Sequence, residues 1–186
     1  MHPTFLFMRL AAAFVVALVA LAGAAHAQQK QDFAYFDGEN TLTFPDHYSL
    51  DIGPTGVVEF WVSVDWDDAD MAPVALSYVG VYGPRYALGI TPDKKGLVFY
   101  SGEDFGVVAS NFSDGKLHHV AVFTYDKLTD AYVDGAYAGT YPLGYGDVYG
   151  STFNIGSLDG VSRKFTGYIG RVRIWDRALP VATVLE

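Results

Sequence analysis

Two closely spaced apolar runs in the second half of the chain constrain the fold more than any other feature. Residues 117–126 read LHHVAVFTYD, and residues 131–137 read AYVDGAY. Each run has the length of a β-strand. The Asp-Gly pair favours a tight hairpin turn, because both central residues of such a turn need positive φ. The sequence therefore predicts an antiparallel hairpin here.

Similar strand-length segments follow one another along the rest of the chain. With 13 Tyr, 13 Phe and 20 Gly, the composition is typical of strands separated by tight turns. The predicted strands are Phe33–Phe36, Leu42–Phe44, Val57–Val64, Val74–Val79, Tyr86–Ile90, Leu97–Ser101, Val107–Ser110, Leu117–Tyr125, Ala131–Val133, Ala136–Tyr141, Phe153–Ser157 and Tyr168–Trp175. About twelve strands predict an all-β fold, an antiparallel two-sheet sandwich of the jelly-roll type. The only helical prediction is Pro180–Glu186, where proline suits a first helical turn.

Val57–Val64 shows the alternation of a strand with one face in the core. Its aliphatic face comprises Val58, Phe60, Val62 and Val64, which we expect between the two sheets. Its mixed face carries Glu59 and Trp61, and we expect either solvent or a ligand groove to meet it.

The N-terminus has the features of a secretory signal peptide. Arg9 precedes an apolar stretch, and Ala25-His26-Ala27 fits the small-x-small cleavage rule. The apolar stretch is short against the roughly 20 residues of a membrane span, which disfavours a retained anchor. We therefore expect residues 1–27 to be a signal peptide and residues 28–186 to form one domain. Export to the periplasm or the extracellular space follows, with membrane contact only through an uncleaved signal.

Charge and cysteine content exclude several function classes. The formal net charge is −9, and the chain has no cysteine. An acidic chain without a basic stripe repels phosphate backbones, so nucleic acid is not an expected partner. The absence of cysteine excludes disulfides, thiol nucleophiles and thiolate-ligated zinc.

Four short motifs occur in a fixed order between residues 35 and 179. They are Tyr35-Phe36-Asp37-Gly38, the strand Val58–Val62, the hairpin His118–Gly135 and the strand Gly167–Trp175. Together they resemble laminin G-like domains of the concanavalin A-like lectin/glucanase superfamily. The resemblance implies a concanavalin A-like sandwich that binds a glycan or a protein more often than it catalyses a reaction.

The resemblance fails at the position that often ligates a structural calcium ion in this superfamily. There, an acidic residue follows the isoleucine of the last strand, whereas this chain has Gly170 followed by Arg171. Glycine supplies no carboxylate and arginine repels a cation. The sequence therefore establishes no cofactor, and calcium stays an open but disfavoured alternative because Gly170 replaces the acidic residue common in the family.

An acidic run and a histidine pair are the remaining metal candidates. Carboxylates at four of six positions suit a hard cation such as calcium, although a solvated acidic loop is the favoured interpretation. These positions are Asp65, Asp67, Asp68 and Asp70. His118 and His119 are adjacent in a strand, so their side chains point to opposite faces and are poorly placed to share one ion. We expect them to be structural.

Aromatic residues in turn-rich segments are the predicted carbohydrate-binding residues. Aromatic rings stack on sugar C–H faces, and tyrosine adds a hydroxyl group. The candidates are Trp66, Tyr82, Tyr86, Tyr141, Tyr145 and Tyr149. The alternative interpretation is that these rings only cover the ends of the sandwich.

Catalysis is not expected. Glycoside hydrolysis needs two flanking carboxylates, yet the chain has only Glu39, Glu59, Glu103 and Glu186, and none has a second acid two residues away in a plausible strand. We therefore expect an exported, non-catalytic module for carbohydrate recognition or adhesion. The alternatives are a protein-interaction or structural subunit of an extracellular assembly and, less favoured, a glycoside hydrolase of unrecognised type.

Overall fold

The computed structural model describes residues 32–50, 52, 55–67, 69–80, 83–101, 104–142 and 151–185. The elements are β1 (Phe33–Asp37), β2 (Leu42–Pro45), a 3-10 helix (Tyr48–Leu50), β3 (Thr55–Val64), β4 (Val74–Gly80), β5 (Gly83–Ile90), β6 (Gly96–Ser101), β7 (Asp104–Ala109), β8 (His118–Tyr125), β9 (Leu128–Val133), β10 (Ala136–Tyr141), β11 (Thr152–Ile155), β12 (Thr166–Trp175) and α1 (Val181–Val184). All twelve predicted strands are confirmed, and the predicted terminal helix forms one turn after Pro180. The predicted signal peptide lies outside the described residues.

The twelve strands form two antiparallel six-stranded sheets. Sheet A has the order β1-β12-β3-β8-β9-β10, and sheet B has the order β2-β11-β4-β5-β6-β7. Within the described part of the chain, no helix combines the length and apolarity needed to cross a membrane.

The main core lies between the two sheets. Sheet A contributes the predicted aliphatic face of β3, including Val58 and Phe60, and sheet B contributes Leu76, Leu88 and Phe99. Burial of this apolar surface is the main stabilising contribution in a chain without disulfides.

The mixed face of β3 is mostly buried, which corrects the expectation that solvent or a ligand groove meets it. At one end, Val57 packs in a second cluster with Phe123 and Val184, because the segment after β12 returns across the outer face of sheet A. In the middle, Glu59 is buried by its polar partners, and only Trp61 remains partly exposed.

The connection between β11 and β12 folds over the outer face of sheet B. Ser77 in β4 donates its hydroxyl to the carbonyl oxygens of Ser157 (3.1 Å) and Leu158 (2.5 Å). Asn154 in β11 contacts Ser77 through Nδ2 (3.3 Å) and accepts a hydrogen bond from Thr43 (2.9 Å). These buried polar groups are satisfied and fix the path of residues 156–165, which we call the β11–β12 loop.

Candidate functional site

The part of sheet B that the β11–β12 loop leaves uncovered carries exposed aromatic and aliphatic side chains. Tyr100 of β6 pairs with Phe105 of β7, and Val98 pairs with Val107. The rings of Tyr100 and Phe105 lie 6.4 Å apart, and Phe105 is 62% exposed. Tyr100, Phe105 and Val107, together with Arg163, form what we call the Tyr100–Phe105 surface, whereas Val98 is buried.

Arg163 links the β11–β12 loop to this surface. Its guanidinium carbon lies 5.1 Å from the centre of the Tyr100 ring, and Nη1 donates to the Tyr100 hydroxyl (3.1 Å) and to the Ala72 carbonyl (3.4 Å). A cation over a tyrosine ring is attracted by the negative charge of the ring face. Arg163 therefore orients Tyr100 and borders the surface on one side.

The residues of β5 next to Tyr100 and Val98 are small. Ala87 pairs with Tyr100, and Gly89 pairs with Val98 in the neighbouring strand. A β-carbon at Gly89 would lie 2.7 Å from the Pro73 carbonyl oxygen, so glycine allows the Ala72–Pro73 backbone to lie against the sheet. The Tyr100–Phe105 surface is thus bounded on one side by the Ala72–Pro73 backbone and Arg163.

A second exposed aromatic group lies on the outer face of sheet A. Tyr125 donates to Asp130 Oδ2 (2.7 Å), Thr140 donates to Asp130 Oδ1, and the Tyr137 hydroxyl lies 2.6 Å from Thr140 Oγ1. The Tyr137 ring packs edge-on against Tyr132. We call these residues the tyrosine patch, and Tyr137 is 57% exposed within it.

Glu59 is at the centre of a charged cluster on the outer face of sheet A. Its Oε1 lies 2.7 Å from Arg173 Nη1, and its Oε2 lies 2.8 Å from His119 Nε2. The ring of Trp61 packs 5.2 Å from the ring of His119. Each carboxylate oxygen of Glu59 therefore has a side-chain partner within sheet A.

His118 points to the opposite face of β8 from His119, as predicted from their adjacency. Val62 and Trp61 are their respective partners on β3. His118 Nδ1 lies 2.7 Å from Asp134 and Nε2 lies 2.8 Å from Asp114. Burial alone would lower the pKa of His118, but the hydrogen bonds to the two carboxylates outweigh it and raise the pKa above its usual value.

Two of the predicted carbohydrate-binding residues are in the interior. Tyr86 is only 1% exposed and packs against Tyr78 in the main core, so its ring face is covered by protein. Trp66 is buried too, with Nε1 donating to the Pro92 carbonyl (3.2 Å) and Phe165 against its ring. In this arrangement both rings pack as structural groups.

The other four predicted aromatic residues divide between β10 and undescribed segments. Tyr141 is partly exposed, and its ring lies over Gly106 of β7, where a β-carbon would overlap it. Tyr82, Tyr145 and Tyr149 lie outside the described residues. The strands that bound their segments, β4, β5 and β11, have their ends at the same edge of sheet B as the β6–β7 turn.

The acidic run is described at three of its four carboxylates. Asp65 accepts a hydrogen bond from Tyr35 (3.0 Å), Asp67 and Asp70 belong to the connection before β4, and Asp68 lies outside the described residues. Gly170, at the position of the family's calcium ligand, pairs with Trp61. Within the described residues, no group of three or more His, Asp or Glu side chains is placed to hold a metal ion.

Sequence reasoning missed Tyr100, Phe105 and Arg163. Tyr100 and Phe105 flank the turn of the β6–β7 hairpin, and the register of that hairpin places them directly opposite each other. Arg163 is 63 positions from Tyr100. The sequence offers one signal for Tyr100: it lies two positions after Val98 in a predicted strand, so the two side chains share a face.

Solved structures with the same architecture include several binding domains. A native heptameric SAP-like pentraxin from Limulus polyphemus has a TM-score of 0.61 and 17% identity, over 82% of this chain and 79% of that one. Domain 4 of the GH43 extracellular arabinanase AbnA from Geobacillus stearothermophilus, solved with arabinotriose, has a TM-score of 0.62 and 18% identity, over 82% and 74%. The CBM40 of the Ruminococcus gnavus IT-sialidase, bound to α2,3-sialyllactose, has a TM-score of 0.59 and 14% identity, over 71% and 80%. At these identities the likeness establishes a shared fold.

Comparison by sequence gives the family. No curated protein matches the chain. Residues 36–185, however, match a laminin G-type family described as the concanavalin A-like lectin/glucanases superfamily. This match spans most of the chain and agrees with its two six-stranded sheets, so the protein belongs to the concanavalin A-like lectin/glucanase superfamily.

Proposed function

We propose that this protein is an exported, non-catalytic module that binds a glycan on the Tyr100–Phe105 surface. The observation that carries the proposal is the exposed ring of Phe105 beside Tyr100, whose position is fixed by Arg163. Exposed aromatic rings on a rigid sheet are suited to the C–H faces of sugars, and nearby donors are suited to sugar hydroxyls.

The position of this surface within the fold supports the proposal. The segments that carry Tyr82, Tyr145 and Tyr149 adjoin strands ending at this edge of sheet B. We propose these tyrosines as additional ligand contacts. Tyr141 packs on the inner side of β7, so its proposed contribution is indirect, through the position of the strand that carries Phe105.

The chemistry of Glu59 supports a role without catalysis. A glycosidase of the usual kind uses a pair of carboxyl groups, one of them free to give a proton. Glu59 is instead paired with Arg173 and His119, which fixes it as an acceptor. Export is proposed from the basic and apolar N-terminus with its Ala25-His26-Ala27 site.

The ligands named for two structural neighbours also support a glycan. The arabinanase domain was solved with arabinotriose and the sialidase module with sialyllactose. Both are saccharides bound on sandwiches of this type. The neighbours themselves bind different sugars, so they support the ligand class and not a particular sugar.

Binding of the purified protein to a glycan and polysaccharide panel, with calcium and with chelator, tests the proposal. We expect saturable binding that Phe105→Ala weakens by about tenfold or more, since stacking contacts are worth about 1 kcal/mol beyond the area they bury. Tyr137→Ala is the matched control, because it removes a similarly exposed ring from the opposite sheet. Binding lost in Tyr137→Ala but retained in Phe105→Ala would move the site to the tyrosine patch.

A protein partner is the second candidate function, and the edge strand β2 favours it. All four residues of β2 are exposed, and Leu42 and Phe44 present apolar side chains there. Unprotected edge strands can pair with another chain. A discrete complex that Phe44→Lys abolishes, together with no binding across the glycan panel, would establish this alternative.

A further inference from the structure

We infer that the glycan bound at the Tyr100–Phe105 surface carries a carboxylate, which Arg163 recognises. This inference rests on the proposed function and adds the chemical class of the ligand. It starts from the backbone of Arg163, the hydrogen bonds of its guanidinium and the charges around it.

The backbone of Arg163 is held in a conformation that most side chains avoid. Its φ is 49°, in the left-handed region where a residue with a β-carbon is strained. The carbonyl of Arg163 accepts a hydrogen bond from the Val74 amide (2.9 Å), and Leu158 N–H donates to the Ser162 carbonyl (3.0 Å). The loop thus imposes this conformation and directs an arginine onto the binding surface, where a glycine would be less strained.

The guanidinium has donors left over after its contacts with the protein. Arginine has five N–H groups, two of them on Nη1. Among the residues that the structure describes, Nη1 alone is engaged, by Tyr100 and Ala72. The edge formed by Nε and Nη2 therefore keeps the parallel pair of N–H groups that binds a planar carboxylate through two hydrogen bonds.

Arg163 also lacks an acidic partner among the described residues. The described ion pairs involve Lys116, His118, His119 and Arg173. The guanidinium of Arg163 therefore lies against the Tyr100 ring without a carboxylate partner among the described residues. A carboxylate on the ligand would complete the arrangement, with the sugar ring against Phe105.

The net charge of the protein shapes the choice of probe. At −9 the chain repels a polyanion at long range, so short oligosaccharides with few charges report the local contact best. Trigalacturonate and 3′-sialyllactose are such probes. Their methyl esters keep the sugar rings and remove the charge.

Calorimetric titration of the purified protein with each acid and its methyl ester tests the inference. We expect at least one acid to bind about tenfold or more tightly than its ester, because a charge-assisted pair of hydrogen bonds is lost in the ester. Arg163→Gln should remove that difference, so that acid and ester bind with similar affinity, and should lower both affinities because the contacts that position Tyr100 are also lost. Arg163→Lys should restore only part of it, since lysine lacks the planar fork.

Arg177→Gln is the charge-matched control, because it removes one positive charge from an exposed position after β12. Circular dichroism and thermal unfolding establish that each variant is folded. If Arg163→Gln does not fold, the difference in affinity between acid and ester on the unmodified protein is the test of the inference.

The remaining outcomes separate this inference from the proposed function. Equal affinity for acid and ester, or tighter binding of a sulfated trisaccharide than of either acid, overturns the carboxylate assignment. In that case, glycan binding that Phe105→Ala still weakens would leave the glycan-binding proposal intact. No binding of these probes overturns the assignment too, and the wider glycan panel then decides the proposed function.

Discussion

Arg173 Nη1 lies 2.7 Å from Glu59 Oε1, so an arginine whose side chain is 62% exposed neutralises a carboxylate that is only 3% exposed. The two residues are 114 positions apart and come from adjacent strands of sheet A. Water can solvate the arginine without its partner, whereas the glutamate cannot leave the sheet. Removing Glu59 therefore leaves a solvated arginine, whereas removing Arg173 leaves a buried carboxylate without that partner.

Arg173→Met should destabilise the protein by about 3 kcal/mol, because it leaves a buried carboxylate with His119 as its remaining partner. Methionine keeps the aliphatic part of the side chain, so the change reports mainly on charge. Urea unfolding at neutral pH measures the effect. Arg177→Met, at an exposed position, should change stability by no more than about 0.5 kcal/mol.

Adding Glu59→Gln to Arg173→Met should recover part of that loss, since no buried charge then remains unpaired. Additive losses in the double variant would contradict this account of the pair.

Stability should fall with rising pH because of His118. Its folded-state pKa lies above the usual 6.5, so its stabilising contribution is complete below about pH 6.5 and is lost as pH rises through the raised value. Urea midpoints at pH 5.5 and 8.5 should therefore differ more in the unmodified protein than in His118→Gln. The exposed His47 provides the control variant, His47→Gln, which should keep the full pH dependence.

The contact between His118 and Asp114 also makes the stability of the protein fall at low pH. The backbone amide of Lys116 and the His118 side chain lower the pKa of Asp114 from 3.8 to about 2. Because this pKa is depressed, its contribution is present above about pH 3.8 and is lost as pH falls toward 2. An unchanged unfolding midpoint between pH 4.5 and 2 would argue against it.

Gly106→Ala should destabilise the protein by about 1–3 kcal/mol, the usual effect of forcing extra volume into packed side chains. The added β-carbon would overlap the near end of the Tyr141 ring, which cannot swing clear while β10 keeps its place. Thermal unfolding of Gly106→Ala, Tyr141→Ala and the double variant measures the coupling. The double variant should lose less than the sum of the two single losses, and strict additivity would show that the ring is not the obstacle.

Asn154→Ala should cost about 1–3 kcal/mol and should weaken ligand binding at the Tyr100–Phe105 surface. Asn154 is fully buried, and its loss leaves the Ser77 and Thr43 hydroxyls without one partner each. The β11–β12 loop that carries Arg163 would then be held less firmly. Unfolding and ligand titration together check this, with Asn111→Ala as an exposed control. If Asn154→Ala is destabilised but its ligand affinity is unchanged, anchoring of the loop does not contribute to binding.

The strands could be predicted from the sequence because their signal is local. The aliphatic face of Val57–Val64 and the Asp134-Gly135 turn each depend on neighbouring residues, and the structure confirms both. The burial of Glu59 could not be predicted this way. It depends on Arg173 and on His119, which reach it only after sheet A has assembled.

The candidate surface was less predictable for a similar reason. Tyr86 was selected for its Gly- and Pro-rich neighbourhood, yet it alternates with Leu88 and Ile90 on the core face of β5. Tyr100 was passed over within an apolar strand, although it faces outward. Local composition identified aromatic residues, but the register of β5, β6 and β7 decides which of them a ligand can reach.

The β11–β12 loop is anchored through its backbone. The path of the loop therefore does not depend on the identity of its outward-facing side chains. Ser77 contacts main-chain carbonyls of the loop, whereas the side chain of Val161 is 79% exposed and takes no part in that anchoring. Replacing Val161 should therefore alter only the exposed exterior of the loop and leave its backbone path in place. This position is accordingly the first at which to attach a reporter group without disturbing the fold.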